Sequence, residues 1–263
     1  MNYAKKIKNH LSDYKKEKFP TVKDGYWRGI KYEHIFPSIC GELNLLEPYR
    51  KVFLENDLSD IRFHQGFHHL NSSQAMCINF FFPLVADKKL EKVLQKLELD
   101  EEVKYETVEF ERESDIDRSE RRATNFDFYF ETKSKKKFYF EIKYTENCFS
   151  KAVSDREHRE KYERIYKDAA DKKIKPEYNT ELEFLNNYQI MRNLIHISED
   201  SYVVFVIPEG NKSVYKQAKN AKKFVVENYE SQVKVLSWNE LYDIAFENRL
   251  KEYYKEFKEK YKL

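Results

Sequence analysis

The sequence predicts an α/β domain in which a mixed β-sheet is flanked by helices and preceded by a helical extension at the N-terminus. Between residues 103 and 145 the hydrophobic pattern changes from the period of helices to the alternation of strands. Further along, "SYVVFVIPE" (201–209) is a nearly continuous apolar run. Such a run is typical of a strand that is buried on both faces of a parallel sheet.

The first hundred residues are predicted to be mostly helical. Their apolar spacing predicts helices over residues 1–18, 47–57, 71–87 and 88–99. Asn71 or Ser72 is the expected N-cap of the third helix, and Pro83 is expected to kink or end it. The stretch "DGYWRGIKYEHIFP" (24–37) is rich in glycine and aromatic residues and is predicted to be a loop.

Three strands are predicted in succession, followed by helices that alternate with two further strands. The strands cover 103–112, 124–131, 137–145, 201–209 and 232–238, and the helices 150–173, 180–197, 211–229 and 239–262. We expect a single domain with a mostly helical part (1–100), an α/β core (101–240) and a C-terminal helix (241–263).

Charge and cysteine content limit the possible partners and the compartment. The net charge is only +2, so binding to nucleic acid must come from local clusters of Lys and Arg. Cys40, Cys77 and Cys148 are odd in number and widely spaced, which fits a reducing cytoplasm and argues against a disulfide scaffold. The sequence shows no signal peptide and no apolar run of about 18 residues. A cytoplasmic protein without membrane contact is therefore expected.

Charged residues interrupt the second and third predicted strands. By alternation, Asp127 lies on one face of its strand, and Glu141 and Lys143 lie on the matching face of the next. If the turn centres on Ser134, Asp127 and Glu141 are directly opposite, with Cβ atoms about 4.5–5.5 Å apart. Two facing carboxylates repel, and a divalent cation between them removes the repulsion. Hard oxygen ligands of this kind suit Mg²⁺ or Mn²⁺.

An Asp followed by a hairpin and then Glu-x-Lys resembles the PD-(D/E)XK nuclease superfamily, which has the restriction-endonuclease-like fold. The stretches "HLNSSQAMCINFFFPL", "TNFDFYF" and "FEIKYTENCF" look more narrowly like a bacterial group of restriction-endonuclease-like proteins. Phe126 stands where the superfamily usually has proline. The resemblance implies a Mg²⁺- or Mn²⁺-dependent endonuclease of restriction, defence or repair type. It also implies double-stranded DNA as the partner and a homodimer as a possible assembly.

The resemblance implies a role for each residue of the motif. Asp127, one Glu141 oxygen and the Ile142 carbonyl would hold a metal against the scissile phosphate. Lys143 would orient the attacking water, take its proton or stabilise the developing charge. Related nucleases place a glutamine on the helix after the last motif strand. "NNYQIMRN" looks similar, so Gln189 is the fourth candidate catalytic residue. Whether one or two metals act stays open.

Several supporting residues are expected as well. The superfamily often carries an acid on its first core helix, but residues 71–86 contain none, and Gln74 is a polar residue available there. Glu111, or Glu42 or Glu47 further upstream, could replace the missing acid, and Glu146 could reach the site. The candidate contacts to nucleic acid are Lys133, Lys135, Lys136, Lys137 and Arg28.

Other interpretations remain open. The chain could be a non-catalytic nucleic-acid-binding module on the same fold, or a scaffold whose hairpin charges are incidental. The histidines of "HQGFHH" and His34 lack a partner cysteine pattern and the H-E-x-x-H spacing. Packing in a loop is therefore expected for them rather than zinc binding.

Overall fold

The computed structural model describes residues 2–120, 123–244 and 248–263. The chain forms two compact units, Met1–Asp100 with Trp238–Leu263, and Glu101–Ser237. The predicted α/β class is confirmed, because a mixed five-stranded sheet is flanked by helices and an N-terminal helix precedes it. The single domain stays a prediction. In the described part of the chain, no helix is both long and apolar enough to cross a membrane.

The regular elements are numbered in chain order. The strands are β1 (Gly25–Trp27), β2 (Ile30–Tyr32), β3 (Val103–Glu113), β4 (Asn125–Thr132), β5 (Lys137–Ile142), β6 (Ser201–Ile207) and β7 (Val233–Ser237). The helices are α1 (Tyr3–Lys18), α2 (Tyr49–Leu54), α3 (Ser73–Ala86), α4 (Glu91–Lys96), α5 (Arg156–Lys161), α6 (Lys167–Ala170), α7 (Glu181–Asn186), α8 (Tyr188–Leu194), α9 (Lys212–Asn220), α10 (Trp238–Tyr242) and α11 (Asn248–Tyr261). The predicted helices 1–18 and 239–262 include Met1 and residues 245–247, which lie outside the described residues.

The first unit contains the buried helix that the sequence predicts. Ser72 is the N-cap of α3, since its Oγ accepts a hydrogen bond from the Ala75 N–H at 3.3 Å. Pro83 lies inside the helix, which continues to Ala86, so the expectation that the helix ends at this proline is wrong. The Asn79 carbonyl, which lacks its helical donor because Pro83 has no N–H, accepts a hydrogen bond from the Tyr253 hydroxyl at 2.6 Å.

A hairpin replaces the loop that was predicted over residues 24–37. Strands β1 and β2 pair antiparallel around Arg28 and Gly29, whose φ angles are 51° and 79°. Two successive positive φ angles are typical of the two-residue turn that matches the twist of a hairpin. The prediction missed it because each strand has only three residues, too few to show an alternating pattern.

The second unit is built on the five-stranded sheet, with strand order β3-β4-β5-β6-β7. The β3/β4 and β4/β5 pairs are antiparallel, whereas the β5/β6 and β6/β7 pairs are parallel. Parallel neighbours need a crossover connection. The segment containing α5 to α8 provides the first crossover, and α9 with its following 3₁₀ turns provides the second. This is the order of strands and helices that the sequence predicts.

The β4–β5 hairpin has the predicted register. Phe128 pairs with Phe140 and Phe130 with Phe138, so the hairpin is symmetric about Ser134. Lys135 adopts a left-handed conformation with a φ of 70°, which closes a three-residue turn. The predicted register of the hairpin is therefore confirmed, and its continuation would place Asp127 opposite Glu141.

The long helices predicted over 150–173 and 180–197 are divided. A π-helical turn (Tyr162–Tyr166) separates α5 from α6, and the chain breaks between α7 and α8 at Asn187, where φ is −122° and ψ is 30°. The break lets Phe184 and Met191, both fully buried, pack in one core while α8 turns its amide side chains toward the sheet. Every residue of β6 is buried, as its apolar run predicts.

Candidate functional site

The predicted acids and lysine meet where β4 and β5 separate. The regular pairing of these strands runs as far as Phe128 and Phe140, and continuing the register places Asp127 opposite Glu141. There the Asp127 Oδ2 accepts a hydrogen bond from the Ile142 N–H at 2.6 Å. The Lys143 N–H donates to the Val206 carbonyl at 3.0 Å, so the chain stays attached to β6 beyond the end of β5.

Glu141 is the centre of a hydrogen-bond network and is only 4% exposed. Its Oε1 accepts from the Lys143 Nζ at 2.7 Å and from the Gln189 Nε2 at 2.7 Å. Its Oε2 accepts from the Asn193 Nδ2 at 3.0 Å. A buried carboxylate needs such donors, because burial of an unpaired charge is very costly.

Lys143 is buried beside this carboxylate, with 7% of its surface exposed. Its ammonium lies 5.3 Å from the centre of the Phe149 ring. Burial alone would lower the pKa of Lys143, but the negative charges of Glu141, Glu146 and Asp127 outweigh burial and raise it. Lys143 is therefore an ammonium group at neutral pH. Of its three expected roles, this favours charge stabilisation and orientation of water over proton abstraction.

Asp127 is half-buried and lies among like charges. Burial raises the pKa of Asp127 well above its usual value, and the neighbouring carboxylates of Glu141 and Glu111 raise it further. Lys143 and the Ile142 N–H oppose this rise in the pKa. A cation bound at Asp127 would relieve the repulsion from Glu141 and Glu111.

Glu111 faces Asp127 from the other neighbouring strand. The pairs Phe110 with Phe128 and Arg112 with Phe126 bracket the position at which Glu111 is opposite Asp127. Glu111 has a φ of 54°, in the left-handed region. A non-glycine residue there costs of order 1–3 kcal/mol, and such residues cluster at functional sites. Of the acids proposed to replace the missing helix acid, Glu111 is the one that acts on Asp127.

Two amide side chains of α8 reach the site, and the sequence analysis identified only one of them. Gln189 donates to Glu141 and accepts from the Ser150 N–H at 3.1 Å through its own Oε1. Asn193 is 1% exposed and holds the other oxygen of Glu141. The signal for Asn193 was its spacing of four residues from Gln189, which places both on one side of a helix.

A cavity of about 270 Å³ is lined in part by Gln189. Its lining includes Lys151, Lys161 and Arg192 along with Glu120 and Glu157, so cations and anions are mixed there. The Arg192 guanidinium and the Lys161 ammonium lie 3.1 Å and 3.7 Å from Oδ2 of the buried Asp117. This ion-pair network fixes the cavity wall, and hence the helix that carries Gln189.

The donor atoms at the site fit one hard divalent cation. Asp127 and Glu141 supply two carboxylates, and Mg²⁺ in proteins is commonly held by one or two carboxylates, with water and phosphate oxygens completing the octahedron. Glu141 Oε1 already accepts two hydrogen bonds, whereas Oε2 accepts one and keeps a lone pair. Within the described residues, no three His, Cys, Asp or Glu side chains are grouped to hold a metal ion.

The remaining supporting residues predicted from the sequence lie partly beside the motif and partly in the first unit. Glu146 is close to the motif, since its Oε2 accepts from the Tyr144 N–H at 2.6 Å and its charge acts on Lys143. Gln74, Glu42 and Glu47 belong to the first unit. There the Gln74 amide accepts from the His64 N–H at 2.8 Å and donates to the Arg62 carbonyl at 3.2 Å. Its amide stabilises a loop.

The histidines of the first unit pack against aromatic rings. The centre of the Trp27 ring lies 4.8 Å from that of His69 in an edge-on contact, and the His68 and His69 rings are 4.5 Å apart. Burial lowers the pKa of His34 and of His69 to about 4, so both are neutral at physiological pH. These contacts agree with the expected packing role.

The lysines predicted to bind nucleic acid are partly occupied by acids. Lys133 forms an ion pair with Glu102, and the Lys136 Nζ lies 2.6 Å from a carboxylate oxygen of Glu101. Lys135 is exposed at the turn and Lys137 is half-buried at the start of β5. In the first unit, Arg28 is exposed and lies 5.7 Å from the Trp27 ring. The hairpin tip is therefore less cationic than its sequence indicates.

Comparison with known proteins identifies a family. Neither the curated proteins nor the solved structures include a match to this chain. A family model described as "Restriction Endonuclease associating with ARP" matches residues 1–262. Because this match extends over nearly the entire sequence, the chain belongs to the REase-ARP family.

Proposed function

We propose that the protein is a metal-dependent nuclease of the PD-(D/E)XK type that hydrolyses phosphodiester bonds in double-stranded DNA, as a restriction, defence or repair endonuclease. The observation that carries the proposal is the convergence of Asp127, Glu141 and Lys143 where β4 and β5 separate, with Gln189 of α8 bound to Glu141. The description of the family as a restriction endonuclease agrees with it. Assembly as a homodimer stays a prediction.

Asp127, Glu141 Oε2 and the Ile142 carbonyl would hold a Mg²⁺ or Mn²⁺ ion in this function. When bound, such an ion polarises the scissile phosphate and lowers the pKa of a coordinated water. Lys143, held by Glu141 at 2.7 Å, supplies a positive charge that stabilises the extra negative charge of the transition state. Gln189 and Asn193 keep the Glu141 carboxylate in one orientation. Glu111 adds negative charge that favours cation binding at Asp127.

A plasmid-cleavage assay tests the proposal. Wild type is compared with Asp127→Asn and Lys143→Met in Mg²⁺, Mn²⁺ and EDTA, and Glu113→Gln, at an exposed position of β3, is the matched control. We expect cleavage by wild type and Glu113→Gln only with a divalent metal, and a loss of at least about a hundredfold in the other two variants. Equal cleavage by wild type and Asp127→Asn would refute the assignment. So would the absence of cleavage of plasmid, single-stranded DNA and RNA under every metal condition.

A non-cleaving nucleic-acid-binding module is the second candidate. The burial of Glu141 and Lys143, at 4% and 7% exposure, favours it, because a phosphate must approach these groups for hydrolysis. Its signature is DNA binding that depends on salt but is unchanged by Asp127→Asn, together with no hydrolysis in any metal.

A further inference from the structure

Helix α9 and the turn that follows it carry a row of lysines. Lys212, Lys216, Lys219 and Lys223 are separated by four, three and four residues, the spacing that places side chains on one side of a helix. All four are exposed, and so is Lys222. The opposite side is apolar, with Val214, Ala218 and Ala221 fully buried in the core of the second unit. We call the four spaced lysines the α9 lysine row.

The α9 lysine row has no acidic neighbours that balance its charge. Residues 211–226 contain five lysines and no Asp or Glu. Among the residues that the structure describes, no carboxylate pairs with any of the row. Lys219 and Lys223 instead lie over aromatic rings, 5.0 Å from Tyr215 and 5.9 Å from Tyr178. Such contacts support the stem of a lysine and leave its charge available.

This arrangement contrasts with the hairpin, which carries four of the five residues predicted to contact nucleic acid. Lys133 and Lys136 have ion-pair partners in Glu102 and Glu101. A lysine that already pairs with an acid releases little counterion energy when a phosphate approaches. Unpaired positive charge is therefore greater on α9 than at the hairpin tip.

Helix α9 is also linked directly to the segment that follows Lys143. Asn211, which precedes the helix, donates through Nδ2 to the Glu146 carbonyl at 2.7 Å. One turn and a half further on, the Oε1 of Gln217 accepts from the Phe149 N–H at 3.2 Å. The α9 lysine row is thus built on the same element that holds the loop after the Glu-x-Lys motif.

We propose that the α9 lysine row binds the phosphate backbone of the nucleic acid on which the candidate site acts. The choice of DNA as the ligand rests on the proposed function, whereas the binding surface is argued from the spacing, exposure and charge of the lysines. Neighbouring lysines of the row are about 5–6 Å apart at Cβ, so several phosphates of one strand can each meet one ammonium group. Contacts of this type carry no base specificity, and their strength falls steeply with salt.

Fluorescence anisotropy of a labelled DNA duplex tests the proposal with the full-length protein in EDTA, where binding is measured without hydrolysis. The test variant is Lys216→Gln with Lys219→Gln, and the control is Lys133→Gln with Lys136→Gln. Both change the net charge by the same amount, and glutamine keeps the helix propensity of lysine. Circular dichroism verifies that each variant is folded.

Each lost phosphate contact reduces the slope of log K against log salt by about 0.9. For two contacts the test variant should lose about 1.8 from the slope, which corresponds to roughly 60-fold weaker binding near 0.1 M salt. The control should stay within about threefold of wild type. Equal losses in both variants, or an unchanged test variant, would overturn the proposal. Binding to anionic lipid vesicles is measured with the same variants. The proposal would also be overturned if the test variant lost vesicle binding but kept DNA binding.

The two proposals fail in distinguishable ways. If DNA binding requires the α9 lysine row but no metal supports cleavage, the nuclease proposal is refuted. The α9 lysine row is then still the DNA-binding surface. Metal-dependent cleavage, with unchanged affinity for DNA in the variant of Lys216 and Lys219, would refute phosphate binding by the α9 lysine row. The nuclease proposal would then still stand.

Discussion

Glu141 and Asp127 are both candidate metal ligands, yet their isosteric amides should change stability in opposite directions. In Glu141→Gln, an amide replaces a carboxylate that accepts hydrogen bonds from Lys143, Gln189 and Asn193. The new carbonyl can still accept from Lys143 and Gln189, and the Asn193 amide can turn to accept from the new NH₂ group. The hydrogen bonds are therefore recoverable, but the charge that balances the buried ammonium is lost.

The magnitude follows from that lost charge. Removing one partner of a buried ion pair costs about 3–5 kcal/mol. Asp127 and Glu146 still attract Lys143, so we expect the free energy of unfolding to fall by about 2–4 kcal/mol in Glu141→Gln. Asp127→Asn keeps an oxygen for the Ile142 N–H and removes repulsion from Glu141 and Glu111. It should change stability by no more than about 1 kcal/mol, toward greater stability.

Urea unfolding in EDTA, followed by far-ultraviolet circular dichroism, measures this difference. Both tryptophans, Trp27 and Trp238, lie in the first unit, so circular dichroism is the more direct probe of the second unit. Glu113→Gln on the exposed edge of β3 is the control and should stay within about 0.5 kcal/mol of wild type. The reasoning would be refuted if Glu141→Gln were neutral, or if Asp127→Asn lost as much stability. Because Asp127→Asn is expected to keep its stability, a loss of cleavage in that variant can be assigned to the chemistry rather than to unfolding.

Three further predictions concern the scaffold around the site. Burial would raise the pKa of Asp117, but hydrogen bonds and Arg192 lower it to about 2, so Asp117→Asn should cost about 2 kcal/mol at pH 7. That contribution is present above about pH 4 and is lost as the pH falls toward 2, so urea midpoints of wild type and variant should converge there. Burial lowers the pKa of His196 to about 4, so the folded state resists its protonation. Stability should fall by about 3 kcal/mol from pH 6.5 to pH 4, and His196→Gln should lose that part of the slope in the same titration. Phe128→Ala should cost about 3–5 kcal/mol in urea unfolding, because the ring is fully buried with the Phe140 ring centre 5.7 Å away; a cost below about 1 kcal/mol would contradict the packing.

The hairpin register and the order of strands were predictable because they depend on local rules. Alternation fixes which side chains share a face, and a symmetric turn at Ser134 fixes the partners of β4 and β5. The break at Asn187 and the π turn inside the crossover were not predictable, because neither proline nor glycine marks them. They arise where aromatic residues of the crossover pack on the sheet, which is a tertiary effect.

The surroundings of the candidate site were predictable only in part. The sequence placed Gln189 beside the motif through a resemblance, but nothing local distinguished a solvated side of α8 from one that covers the sheet. Asn193 at 1% exposure and His196 at 8% show that this side is buried. The hairpin lysines were misleading in the same way, because Glu101 and Glu102 lie about 30 residues away in sequence and neutralise them only in the folded unit.

The charges of Glu141 and Asp127 have different surroundings within the site. Glu141 is compensated by the protein itself, so its carboxylate and the Lys143 ammonium keep their positions whether or not a ligand is bound. Burial and the negative charges of Glu141 and Glu111 raise the pKa of Asp127, and a cation bound there would relieve this repulsion. A scaffold whose only task was stability would gain by replacing Asp127 with a neutral residue. The repulsion at Asp127, next to the Glu141–Lys143 ion pair, therefore adds to the geometric argument for binding of a cation.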